Sequence, residues 1–180
     1  RGGGLCVASP DPAEVVRSAV IYFRFLQLSA DELGELGSDL EMALATAAAQ
    51  RVQISGQDVI NGFSAAIHPA QIPRNRAEAQ RNLEAIYAGL AEASGNPVMA
   101  LLVQVLTAFL TITAPKSRKQ PALNRVEYER YLAQLHQVED ALRNGDAGLA
   151  RRGLMMARQQ DMALLPQTRD LRQLMARLFV

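Results

Sequence analysis

Two imidazoles, one thiol and a scatter of carboxylates limit the chemistry available to this chain. His68 and His136 are its only histidines and Cys6 its only cysteine. A multi-histidine metal centre, a cysteine-based zinc or iron–sulfur site and an intrachain disulfide framework are therefore excluded. His136 has the chemistry of a general base, but it neighbours the apolar stripe of its segment, which predicts a half-exposed surface residue. His68 stands immediately before Pro69, where the end of a helix accounts for it. Asp161 follows Ala157 by four residues, a spacing that turns both toward the same interior in a helix. A carboxylate buried there needs a partner, and the sequence names none. The opening Arg-Gly-Gly-Gly-Leu lacks the lysine and the following helix of a phosphate loop. No nucleophile elbow or HExxH stretch occurs. The expectation is a non-enzymatic domain with neither catalytic residues nor cofactor. A small all-α enzyme, built on Tyr87, His136 and Asp161, and a ligand-free interaction scaffold are the alternatives.

Composition sets further bounds. Nineteen basic residues face eighteen acidic ones for a net charge of +1, which gives no global electrostatic pull toward nucleic acid or an anionic membrane. The absence of tryptophan and the 5% aromatic content argue against stacking platforms for single strands. At 180 residues, 49% of them hydrophobic, the chain suits one domain with its own core. A cytoplasmic location is expected, since no signal peptide opens the sequence.

The elements that must position any site are helical. Residues 1–10 read as a turn and short strand leading to a linker closed by Pro10 and Pro12. From Asp11 the apolar period is that of helices. Asp11-Pro12 opens the first, to about Leu28. Ser29 and Glu32 form a capping box for the second, whose stripe is Leu33, Leu36, Leu40, Leu44 and Ala47. Ser55 caps a third, with Val59, Ile60 and Phe63. A fourth turns Leu83, Ile86, Tyr87 and Leu90 inward and stops at Ser94-Gly95. Asn96-Pro97 caps a charge-free fifth, to Ala114, which reads as a central core helix rather than a membrane span because its neighbours are amphipathic. Lys116, Arg118 and Lys119 follow in a basic loop. A sixth helix, about Leu123 to Arg143, buries Val126, Tyr131, Leu132, Leu135, Val138 and Leu142. Asn144-Gly145 ends it and Asp146 caps a seventh, with Ala150, Gly153, Leu154 and Ala157 on one face and Met155 and Met156 as core filler. Pro166 precedes a last helix. The fold class is all-α, an antiparallel bundle of seven to eight helices.

Several local patterns carry a resemblance. The stretch LAEASGNPVMALL, from Leu90 to Leu102, resembles the helix-break-helix signature of the FCD domain of GntR-type transcription regulators in the FadR branch. LHQVEDALRNGDAGLA, from Leu135 to Ala150, is similar to that domain's HxxIxxAIxxGDxxxA stretch. ELGSDLEMALATAAA, from Glu35 to Ala49, resembles its ELRxxLExxAAxxAA helix, and RGGGLCVASP looks like the wing strand and linker that end the preceding winged helix. The resemblance implies a wing-strand remnant and linker over 1–10 and an effector-binding, dimerising helical domain over 11–180. It also implies a small-molecule effector, a homodimer, and operator DNA bound through a winged helix not contained in these residues, in a bacterial regulator.

Departures from the family pattern sharpen the expectation. Many such domains hold a divalent metal through an Asp and three His, and the metal grips an organic acid. The resemblance places the Asp and first His at Leu83 and Tyr87, the second His at Leu135 and the third at Ala157. The helix arginine that meets a substrate carboxylate in many relatives falls on Gly37. Leucine and alanine cannot supply the ligands a divalent ion needs. The expected site, Gly37, Leu83, Tyr87, Leu135, Ala157 and Asp161, is a metal-free and mostly apolar pocket of about 300–1,000 Å³. It suits an acyl or aromatic effector oriented by the Tyr87 hydroxyl. A filled core that no longer senses anything is the competing expectation, as is a bulge that swings His136 inward beside Asp161.

Overall fold

Asp11 starts the helical fold in the way its sequence suggests. Its side chain accepts a hydrogen bond of 2.9 Å from the Ala13 amide, and Pro12 occupies the first helical position, where a missing N–H costs nothing. The computed structural model describes residues 11–28, 30–68, 72–113 and 125–164. Among them lie seven α-helices and no strand. They are α1 (Pro12–Phe25), α2 (Ala30–Ser55), α3 (Asn61–Ile67), α4 (Arg76–Ser94), α5 (Pro97–Thr113), α6 (Arg125–Arg143) and α7 (Ala147–Leu164). The expected strand and linker over residues 1–10, the Ser29 cap, the basic loop of Lys116, Arg118 and Lys119, and the helix after Pro166 lie outside the described residues.

Several helix boundaries have a local chemical cause. Gly95 and Gly145 take the left-handed conformation, with φ of 67° and 66°, and close α4 and α6 where other residues would be strained. Asn96 then caps α5, its Oδ1 accepting from the Val98 and Met99 amides. Asp146 caps α7 through the Leu149 amide at 2.8 Å. At the start of α4, Asn75 and Glu78 cap reciprocally: Asn75 Oδ1 accepts from the Glu78 amide, while Glu78 accepts from the Arg74 amide and the Asn75 side chain. The Arg74 amide bond, the Asn75 bond and the nearby Arg74 and Arg81 charges outweigh a slight desolvation and hold the Glu78 carboxyl below the usual range.

α2 is the hub: α4, α5, α6 and α7 all pack against it. Its buried line is Leu33, Leu40, Leu44, Ala45, Ala48, Ala49 and Val52. Leu36, placed on this line by the sequence reading, is 42% exposed, because the inward face passes through Gly37 and Glu41 instead. The small alanines let neighbouring helices approach α2 closely. Gly89 does the same where α3 crosses α4, its backbone lying against that of Gly62 and Phe63. α1 is fastened to α5 by Val16, Val20 and Phe23, with Phe23 meeting Phe109 edge-on at 6.1 Å.

Several sequence expectations need correction. Ser55 is the last residue of α2, not a cap. The break falls at Gly56, with φ of 88°, and a 3-10 turn over Gln57–Ile60 leads into α3. The first helix ends at Phe25, three residues short of Leu28. α5 is a flanking helix and not a central one, since Val98, Leu102 and Gln104 face outward. No described helix is long and apolar enough to cross a membrane. Val126 is exposed and Tyr128, two residues on, is fully buried, so the inward face of α6 starts later than the period suggested. Met155 and Met156 are half exposed and fill no core.

Candidate functional site

The polar heart of the bundle is an ion pair that joins its first long helix to its last. Arg158 on α7 reaches across to α2 and donates from Nη1 to Glu41 Oε1 at 2.6 Å. Its Nη2 donates to the Gly34 carbonyl. The guanidinium lies on a bare patch of helix created by Gly34 and Gly37, one turn apart. A methyl group built on Gly37 would stand 3.6 Å from Nη2. Glu41 is only 7% exposed and also takes a hydrogen bond from Tyr87 on α4. Burial pushes the Glu41 carboxyl up from its ordinary range. The Arg158 charge and the bonds from Arg158 and Tyr87 pull the other way without overcoming it.

Four of the six expected site residues lie in or against the core that surrounds this pair. Leu83, Leu135 and Ala157 are core residues, and Tyr87, half buried, packs against that core. Asn82, next to Leu83, donates to the Tyr128 hydroxyl at 2.6 Å and ties α4 to α6 at this level. Gly37 lies directly beneath the guanidinium. Asp161 belongs to α7, and its side chain lies outside the described residues. The room expected above Gly37 is occupied: where the family resemblance places an arginine on α2, the guanidinium arrives from α7 instead. The expectation of a mostly apolar interior is corrected to that extent.

This donor set does not fit the metal held by many FCD domains. Leu83, Leu135 and Ala157 offer no lone pair, and the Tyr87 phenol already bonds Glu41. Among the described residues no three His, Cys, Asp or Glu side chains are grouped to hold an ion. A methyl group at position 37 would make only ordinary contact with Arg158. Gly37→Ala is therefore expected to raise stability by about 0.5–1 kcal/mol through helix propensity, read as a higher melting temperature.

A second polar cluster ties α3 to α6. Glu139 accepts from His68 Nε2 at 3.0 Å on one oxygen, and from Arg143 Nη2 at 2.7 Å and Nε at 3.1 Å on the other. Arg143 also donates to Ser64 Oγ at 3.0 Å. Burial alone would raise the Glu139 carboxyl. The bonds from Ser64, Arg143 and His68, with the Arg143 charge, more than cancel that and hold it down at about 2. His136 stacks on the His68 ring, centroids 4.4 Å apart. Its Nε2 is buried and has no hydrogen-bond partner in the described structure. His136 is thus half buried against the ring of His68, the residue that follows α3, and the side chain of Asp161, its expected neighbour in a bulge, lies outside the described residues.

Sequence reasoning missed Glu41, Arg158 and Glu139. A signal existed for the first two. Glu41 lies four residues after Gly37 and three before Leu44, on the inward line, and Arg158 lies four after Leu154. Two glycines a turn apart mark the space that a long side chain fills.

Together the bundle and its two polar clusters, around Glu41 and around Glu139, define an all-helical domain with an otherwise apolar core. Residues 32–158 match the family model of the FCD domain, and the chain belongs to that family, the all-helical regulatory domains of GntR-type transcription regulators. No curated protein and no solved structure matches the chain.

Proposed function

We propose that this chain is the effector-sensing half of a bacterial GntR-type regulator, working as a homodimer in the cytoplasm and joined through residues 1–10 to a winged helix that binds operator DNA. Its effector binds without a metal and has an apolar acyl or aromatic body. The observation that carries this reading is the set of side chains at the family's ligand positions. Leu83, Leu135 and Ala157 are apolar and buried, and Tyr87 is the one polar member. An apolar body gains roughly 25 cal/mol for each Å² it removes from water among such residues, whereas a divalent ion gains nothing from them.

α1 supports a route from effector to DNA. It follows directly on the linker and leans on the core through Val16, Val20 and Phe23, while Ile21, Tyr22 and Phe25 stay exposed for a partner surface. Effector binding that favours one placement of α1 would change operator affinity by the difference in its affinity for the two placements. The proposal is tested by thermal melts against fatty acids, acyl-CoAs, sterols and aromatic acids. A true effector raises the melting temperature in step with ln(1 + [L]/Kd). A flat response across all four classes contradicts the reading.

A further inference from the structure

We propose that residues 167–179 of this chain dock along the apolar outer side of α1 and clasp that helix to the bundle. The inference names the partner of the exposed α1 face, and it stands whether or not the domain senses an effector.

The face comes first. α1 packs on α5, and Val16, Val20 and Phe23 form its inward side. Val15, Ile21, Tyr22 and Phe25 lie on the opposite side and are exposed, Phe25 at 80%. Leu26, which ends the helix, continues that side and is exposed as well. Arg17 and Arg24 fall on a third side, outside both. A helix apolar on two sides is stable when covered on two sides, and α5 supplies only one of these covers.

Position, pattern and charge identify the occupant. α7 runs antiparallel to α2: the Gln53 side chain donates to the Gly145 carbonyl just before α7, and Arg158 donates to the Gly34 carbonyl. Leu164 lies about 9 Å beyond Arg158 along the helix, level with the start of α2 at Ala30. α1 finishes at that same end of the bundle, since Phe25 closely precedes Ala30 in the chain. Past Leu164, the residues Leu171, Leu174, Met175, Leu178 and Phe179 recur at the spacing of one helical face. A helix over 167–179 spans about 20 Å, which matches the 14 residues of α1. Arg169, Arg172 and Arg177 outnumber the one acid, Asp170, and the first turns of α2 expose Glu32 and Glu35 to them. A segment tethered at Leu164 meets the face at an effective concentration of about millimolar, ahead of a second copy.

The chain contains no tryptophan, so Phe25→Trp in the whole chain installs a fluorescent reporter that reads this face alone. Its emission is expected to be shifted to the blue, with iodide quenching several-fold weaker than for an exposed indole, and neither reading should change on dilution. Adding Leu174→Glu and Leu178→Glu should return both readings to those of an exposed indole while the melt stays cooperative. Exposed-type emission from Phe25→Trp itself, or protection that survives the two added glutamates, overturns the proposal. Protection lost on dilution also overturns it and assigns the face to a second copy. A melting cycle with Phe25→Ala and Leu178→Ala needs only mild substitutions and decides the matter should the charged variant fail to fold. Each alone should lower the melting temperature by several degrees, and the two together by little more than either. No loss from Phe25→Ala, or losses that simply add, overturns the clasp. None of these readings involves an effector or DNA, so their failure leaves the sensing function to its own melting panel.

Discussion

Replacing Glu139 by glutamine is expected to cost about 2–3 kcal/mol at neutral pH. The carboxylate is buried and shared between Arg143 and His68, and it is held at about 2 from an ordinary value of 4.5. A group depressed in the folded state stabilises it above the unfolded value, and that share disappears as pH falls through the folded one. The whole contribution is thus present above about pH 4.5 and is lost progressively toward pH 2. Paired urea titrations of the native and variant proteins should differ most near neutrality and converge at the acid end. Glu41 has the opposite sign: its raised carboxyl costs stability as pH rises from its unfolded value through its folded one, so convergence of the two curves is assigned to Glu139 alone. A gap that stays constant from pH 7 to about pH 3 would show that the network acts by shape and not by charge.

Gly89→Ala is expected to be as damaging through sterics alone. A methyl group there would lie 2.6 Å from the Phe63 nitrogen and 2.7 Å from Gly62 C and Phe63 Cα. All three are backbone atoms, so no rotamer change relieves the clash and α3 must move off α4. Moving it loosens Phe63, Ile67, Ile86 and Leu90, which are 0–1% exposed. Overpacking of this kind costs about 1–3 kcal/mol and sometimes more, against which alanine returns under about 1 kcal/mol of helix propensity. A net loss near 2 kcal/mol lowers the melting temperature by about 4–8 °C in a domain of this size. The same exchange at Gly37 goes the other way, so the two variants measured side by side separate close packing from propensity. A Gly89→Ala protein that melts at or above the native temperature would contradict the close approach of α3 and α4.

Much of this fold was legible in the sequence because helices end on local chemistry. Gly95, Gly145, Asn96 and Asp146 mark their boundaries through backbone conformation and capping, and a reader of the sequence needs no tertiary information to place them. The line Ala150, Gly153, Leu154 and Ala157 was equally plain, since small and apolar residues recur there at helical spacing. Faces were harder. Leu36, Val126, Met155 and Met156 satisfy the helical period yet lie outside the core, because the period fixes which residues share a side and leaves the width of the buried sector to the neighbouring helices. Ser55 looked like a cap because its chemistry suits one, but Gly56 could adopt a positive φ and took the break.

The site was half legible. Leu83, Leu135 and Ala157 follow from their inward spacing, and they fall in one core. What the sequence concealed was a contact across 117–124 residues of chain: position 37 of α2 carries glycine, and the guanidinium that lies there comes from Arg158 on α7. Pairwise spacing along one helix carries no record of such a partner. Glu139 was hidden for the same reason, since its partners Ser64 and His68 come from α3 and the residue that ends it.

The most direct test of the account is a melt of the purified domain with a binding effector, run with excess chelator and again with added zinc, nickel or manganese. An effector that raises the melting temperature equally in all of these conditions, dose by dose, is the predicted result. A shift that vanishes with the chelator and returns with a divalent ion would contradict it.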